Sequence, residues 1–106
     1  MLIGELNFNS ATPVYTPIVS RFGESAVFVI EALQITGGTS SLAVDIEHKN
    51  RSDTSWTTAA SFTAITTTGV KTKDASALKE QVRLKFTQSA NAGDWSRVFV
   101  HPPLWR

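Results

Sequence analysis

The side chains of this sequence that could do chemistry are two histidines, His48 and His101, nine carboxylates and a large number of serines. A general acid and base must face each other across one cleft, and a metal needs ligands directed at one point. Asp45 and Glu47 come nearest to a catalytic pair, because residues two apart share one face of a strand. An ordinary solvated strand carries the same pattern, so acid–base catalysis gains little from it. His48 and His101 fall at the ends of separate strand-like runs, with no spacing that turns two ligands to one face. They read as surface or capping residues. No Gly-x-Ser-x-Gly elbow surrounds a serine, and Gly37-Gly38 lacks the lysine and strand-to-helix setting of a phosphate loop. The absence of cysteine excludes a disulfide framework, a thiolate metal site and a cysteine nucleophile. Asn50-Arg51-Ser52 spells a glycosylation acceptor, but no basic start or long apolar stretch marks the N-terminus for export. These residues point to no enzyme, no cofactor and no metal.

The elements that carry them are short. With 106 residues, 42% apolar, 18% charged and a net charge of +1, the chain has room for one folded domain and names no partner by charge. Val, Ile, Phe and Trp cluster between Gly, Asn, Asp and Pro, with abundant Thr and Ser, as in a protein of many strands. Ala26 to Ile35 alternates Val27, Val29, Leu33 and Ile35 with Ala26, Phe28, Ile30 and Ala32, so both faces are apolar. That predicts a central strand covered on both sides, or partly covered by another chain. Leu42, Val44 and Ile46 alternate with Ala43, Asp45 and Glu47, and Val82, Leu84 and Phe86 with Arg83, Lys85 and Thr87, as half-buried strands do. Asn50 to Asp53 supplies a turn before a strand from Trp56 to Phe62, Gly69 opens another, and residues 74–78 make a tight corner. Asn91 to Asp94 turns the chain into a last strand from Ser96 to His101. Seven or eight short strands of this kind pack as an antiparallel β-sandwich, jelly-roll or immunoglobulin-like, with a closed barrel as the rival architecture.

Aromatic and basic residues offer the remaining signals. Lys71, Lys73, Lys79, Arg83 and Lys85 could share one positive face, but a net charge of +1 and no aromatic residues interleaved on the Arg83/Lys85 face argue against nucleic acid, leaving an acidic protein surface as a partner such a face could meet. Trp56 leads into a strand whose Phe62 should point inward and is expected in the core, while Trp95 suits a half-buried loop plug. Pro13 and Pro17 make residues 1–20 an extended arm or edge strand, and Pro102-Pro103 ends the ladder before a five-residue tail, 102–106. The domain proper is then 21–101. Trp105, beyond two prolines, is expected to anchor in a neighbour's pocket or to fold back on its own sheet.

Leu42 to Lys49, Asn50 to Trp56, Ala60-Ser61-Phe62, Thr68-Gly69-Val70 and Gln81 to Phe86 together resemble a pattern of small β-sandwich structural proteins of tailed bacteriophages. In that pattern a V-x-I-x-H strand ends in a polar turn and is followed by W-T, S-F, T-G-V and V-R-L-K segments. The likeness covers roughly residues 42–88. It implies a virion structural protein, made in the host cytoplasm. Its role would be that of a decoration or cement protein on the major capsid protein or other virion subunits, or of a neck or tail component. Such a protein would be a homo-oligomer that binds neither nucleic acid nor membrane. Its docking would lie in the terminal arms, at Val14, Tyr15 and Ile18 and at Leu104, Trp105 and Arg106, and deleting 1–12 or 102–106 would leave a folded monomer that docks poorly. A carbohydrate-binding module, stacking sugars on Trp56 or Trp95 with polar help from Asp45, Glu47 or Asn50, is the alternative.

Overall fold

A computed structural model describes residues 13–35, 41–88 and 96–106, together with the backbone of a strand at 4–8. The chain is all-β. Its strands are β1 (Gly4–Phe8), β2 (Val14–Tyr15), β3 (Val19–Ser20), β4 (Ala26–Ile35) and β5 (Leu42–Lys49), then β6 (Thr57–Ser61), β7 (Gly69–Ala75), β8 (Gln81–Gln88), β9 (Ser96–Val100) and β10 (Leu104–Trp105). One sheet runs β1-β9-β4, with β7 on the far side of β4 and β10 beside β9 along the near side. The other runs β8-β5-β6, with β2 and β3 end to end along the free edge of β8. Every pairing is antiparallel.

Ten strands reduce to eight when the two proline-broken ones are rejoined. Between Tyr15, opposite Lys85, and Val19, opposite Val82, the register slips by one residue around Pro17. Proline has no N–H to give the ladder, and the slip lets the chain step past it. Thr16 bridges the gap: its amide donates to the Leu84 carbonyl at 3.0 Å and its hydroxyl accepts from the Leu84 amide at 2.9 Å. An equal slip separates Val100, opposite Ile30, from Leu104, opposite Val27, across Pro102-Pro103. With β2–β3 and β9–β10 each taken as one strand, the chain crosses between sheets in the order of a jelly roll.

Pleating accounts for the core. Ala26, Phe28, Ile30 and Ala32 face Leu42, Val44, Ile46, Val82, Leu84 and Phe86 across the sandwich, joined by Val98 and Val100, all nearly inaccessible. Phe62, Ile65, Ala75 and Leu78 close its ends. The alternation read from the sequence holds for β5 and β8. For β4 it holds up to Ala32, where a bulge shifts the pairing before Gln34 and brings Ile35 round to pack on the core, not beside Val27 and Val29. Residues 76–80 form a corner, with Ala77 in the left-handed region at φ 53°. Gly69 opens β7 at φ +126°, which only glycine adopts without strain.

Candidate functional site

The described terminal segments are not free arms. Residues 14–15 and 19–20 are edge strands on β8, 4–8 pairs along the whole of β9, and 104–105 pairs with β4. Of the two expectations for Trp105, the structure has the tail folded back on its own sheet. Trp105 pairs opposite Ala26, whose small side chain leaves room for the indole to meet Phe28 edge-on, with ring centroids 6.4 Å apart. The Arg106 amide donates to the Ser25 carbonyl at 2.9 Å. At Gly23 the backbone of Arg106 lies so close that a Cβ would collide with its carbonyl.

The two slipped strands face each other at one end of the sandwich. Between them lies an open, mostly apolar groove of about 460 Å³, with Ile18, Val19 and Phe22 on one side and Pro102, Pro103 and Trp105 on the other. Phe22 meets Trp105 edge-on at 6.3 Å and is otherwise bare, 86% exposed in the bend after β3. The exposed large apolar side chains among the described residues are Val14, Tyr15, Ile18, Phe22, Val70 and Leu104, and all but Val70 belong to segments 14–22 and 102–106. Of the residues singled out by sequence, Ile18 and Trp105 therefore both line the groove, whereas Leu104 is 60% exposed on the outer face of β10 and is not part of its lining. Arg106 is exposed next to Trp105. Val14 and Tyr15 lie further along β2, and Tyr15 belongs to a second cluster. Phe22 went unnoticed in the sequence because it sits in a turn. The signal was a large aromatic among otherwise small or charged turn residues.

The second cluster covers the outer face of the β8 sheet. The Arg83 guanidinium lies 3.9 Å from the centre of the Tyr15 ring and 4.3 Å from that of Trp56, and its Nε donates to Glu47 Oε1 at 2.9 Å. Lys49 approaches the same indole at 5.4 Å. Two sequence expectations are corrected here. Trp56 is not in the core, and aromatic rings do interleave the Arg83 face. The position of Trp56 follows from a bulge: the β5–β6 register shifts between Ile46 and Glu47, leaving an extra residue at Ala59 and turning Thr58 and Trp56 outward although Ala60 and Phe62 point in, while Tyr15 reaches the same face from β2, paired opposite Lys85. Glu47 neutralises Arg83, and the stack reads as cladding that shields the sheet.

The groups first weighed for catalysis are dispersed or engaged. Asp45 accepts a hydrogen bond from Ser61 Oγ at 2.7 Å, and Glu47 is held by Arg83. His48 lies on β5 and His101 after β9, in different sheets. His101 packs edge-on against Phe99 at 4.9 Å. His48 is buried at the end of β5, where its Nδ1 accepts the Lys79 amide at 3.2 Å and ties the 76–80 corner to the sheet. Burial and the Lys79 charge lower its pKa below the ordinary value, against a smaller upward pull from Asp53. Asn50 and Asp53 complete the tie: the Asn50 amide donates to Asp53 Oδ2 at 2.9 Å, and the Arg51 amide to Glu80 Oε1 at 3.1 Å. Trp95 and the Gly37-Gly38 and Asn91–Asp94 turns lie outside the described residues. Set against protein-family models, curated proteins and solved structures, the chain matches none.

Proposed function

We propose that this chain is a non-enzymatic assembly module, a jelly roll that docks on another protein through the apolar end where its two proline-broken strands meet. The observation that carries this reading is the open apolar groove there, lined by Ile18 and Phe22, each more than half exposed, and by Pro102, Pro103 and Trp105. Large apolar side chains concentrated on one rim mark association sites more often than chance exposure does. The likeness of residues 42–88 to phage structural sandwiches supports a specific form of the role: a decoration or cement protein on the major capsid protein of a tailed bacteriophage, found in the virion. Jelly rolls recur among viral capsid domains, which is support by analogy of fold. Many weak copies on a lattice suffice for such a role, because a second contact on the same shell is effectively intramolecular.

The test is co-sedimentation of the full chain with assembled shells of the capsid protein encoded beside its gene. The chain should pellet with the shells and raise their dissociation temperature. An Ile18→Ser/Phe22→Ser variant, altered only at exposed positions, should keep its own melting temperature and stay in the supernatant. Binding by the variant as strong as by the parent, or no binding by either, would sink the reading. Trp56 at the surface favours the carbohydrate alternative, which a glycan array tests directly. Against it, the indole is already engaged by Arg83 and Lys49.

A further inference from the structure

We infer that the 76–80 corner is an acid-sensitive latch: a proton on His48 Nδ1 displaces the Lys79 amide and frees the 21–24 bend, which carries Phe22 on one wall of the terminal groove. The latch stands on bonds within the chain, and only its use, the release of a bound protein in acid, rests on the docking role proposed above. Three successive residues of the corner are tied to other elements. The Leu78 amide donates to the Glu24 carbonyl at 2.9 Å, and the Leu78 carbonyl accepts from the Arg21 guanidinium. The Lys79 amide donates to His48 Nδ1 at 3.2 Å. The Glu80 amide donates to Asn50 Oδ1 at 3.4 Å, and its carbonyl accepts from the Arg21 amide at 3.0 Å. The corner therefore fastens the end of β5 to the 21–24 bend. Phe22 of that bend lines the groove, and Gly23 packs against the Arg106 backbone next to Trp105 on the other wall.

His48 is the one bond in this set that acid can reverse directly. An imidazole nitrogen accepts a hydrogen bond only while it lacks a proton, and a protonated Nδ1 would turn a second donor on the Lys79 N–H. Two buried donors facing each other are costly, and separating them relieves the cost. The corner is suited to move, since Ala77 holds a left-handed φ of 53° that a non-glycine residue keeps only while its surroundings impose it. The register partners of His48 are uncharged, Val82 on β8 and Thr57 on β6, and Glu47 and Arg83 pair on the opposite face of the sheet. Lys49, next along β5, reaches to the Asp53 carbonyl and to Trp56, while the Glu80 carboxylate is held by the Arg51 amide. The charges that bear on His48 are Lys79, which opposes a proton, and Asp53, which favours one and pairs with Lys79 at 3.7 Å. Burial and Lys79 outweigh Asp53, so the latch is shut at neutral pH and opens on the acid side of ordinary histidine titration.

The experiment is residue-resolved amide hydrogen exchange on the free full chain from about pH 8 to about pH 5, corrected for the intrinsic dependence of exchange on pH. In the parent, Arg21, Leu78 and Lys79 should lose protection several-fold more than Leu84 in the middle of β8, with the midpoint shown by the His48 ring protons. Leu84 reports any general weakening in acid, so the excess over it measures the local opening. Lys79→Gln keeps the amide but removes the opposing charge, and should move both midpoints to higher pH. His48→Asn should leave Arg21 and Leu78 protected throughout. Equal losses at Arg21 and Leu84 overturn the inference, as does a midpoint that does not follow His48, and both are read on the parent without any variant. A titrating His48 beside an unmoved Arg21 amide overturns it too, because the histidine would then fasten the corner alone. Docking on shells at neutral pH is untouched by each of these results and is judged by its own assay.

Discussion

At the scale of single residues, the side chains that look chemical prove to be fasteners. Because His48 Nδ1 accepts the Lys79 amide, the folded state needs this nitrogen unprotonated. Burial and the neighbouring lysine favour that neutral form, so the folded pKa lies below the unfolded one. The unfolded chain then binds more protons between the two values, and stability falls as acid is added. His48 should contribute its full stabilisation above about pH 6.5, the ordinary histidine value, and lose it progressively below. Thermal melts from pH 8 to pH 5 check this: the parent should weaken through that range, and His48→Asn, whose amide oxygen can still accept the Lys79 N–H, should show a flatter profile. His48→Ala should cost about 1–3 kcal/mol near neutrality by orphaning a half-buried donor. Identical slopes in parent and His48→Asn would show that other groups govern the acid limb. The histidine's position at a strand end was legible in the sequence. Its burial was not, because the corner that covers it comes from residues 76–80, about thirty positions away in the chain.

At the scale of elements, what could be read from the sequence divides along the pleat. The alternations of β5 and β8 named their buried sides correctly, since one apolar face and one polar face leave a single register. Trp56 and Ile35 escaped because a one-residue bulge separates each from the rest of its alternation, and a bulge reverses the facing of the side chains across it while leaving no mark on composition. The terminal strands were legible as proline-broken, but the choice between free arms and edge strands on their own sheets was not, since the edges of β4 and β8 offer backbone partners that no local pattern announces. The docking of β10 is testable through Gly23. A methyl there collides with the Arg106 carbonyl, and backbone cannot yield as a flexible side chain would. Gly23→Ala should therefore loosen β10, lower stability by about 1–3 kcal/mol through lost Trp105 packing and hydrogen bonds, and speed amide exchange at 104–106 while β5 and β8 stay protected. Unchanged exchange at those residues would mean that the tail holds by other contacts.

At the scale of the whole molecule, a sandwich must keep its open edges from pairing with other copies if association is to be confined to one end. The edge strand β7 shows how. Lys71 and Lys73 stand opposite Ile30 and Phe28, positions that face the interior, so the edge carries two charges aimed toward the core side. Lys71 satisfies its ammonium on Thr67 Oγ1 at 3.1 Å, and another strand added here would have to bury both charges. Inward-pointing lysines on an edge guard against strand addition at some expense in packing. With Val70 beside them 62% exposed, β7 would otherwise be a hazard. Lys71→Val/Lys73→Val should accordingly fold and melt at or above the parent temperature in dilute solution, because two buried-side charges are replaced by β-branched apolar groups. At high concentration it should scatter light and form β-rich aggregates. Thr72→Val, which adds similar apolar surface on the outward face but keeps both lysines, should remain dispersed. If the double variant stays as dispersed as the parent, the lysines are not the guard. If Thr72→Val aggregates equally, added surface and not the open edge is the cause. Aggregation of the double variant alone would leave the terminal groove as the surface open to specific contact, with the edge closed by charge.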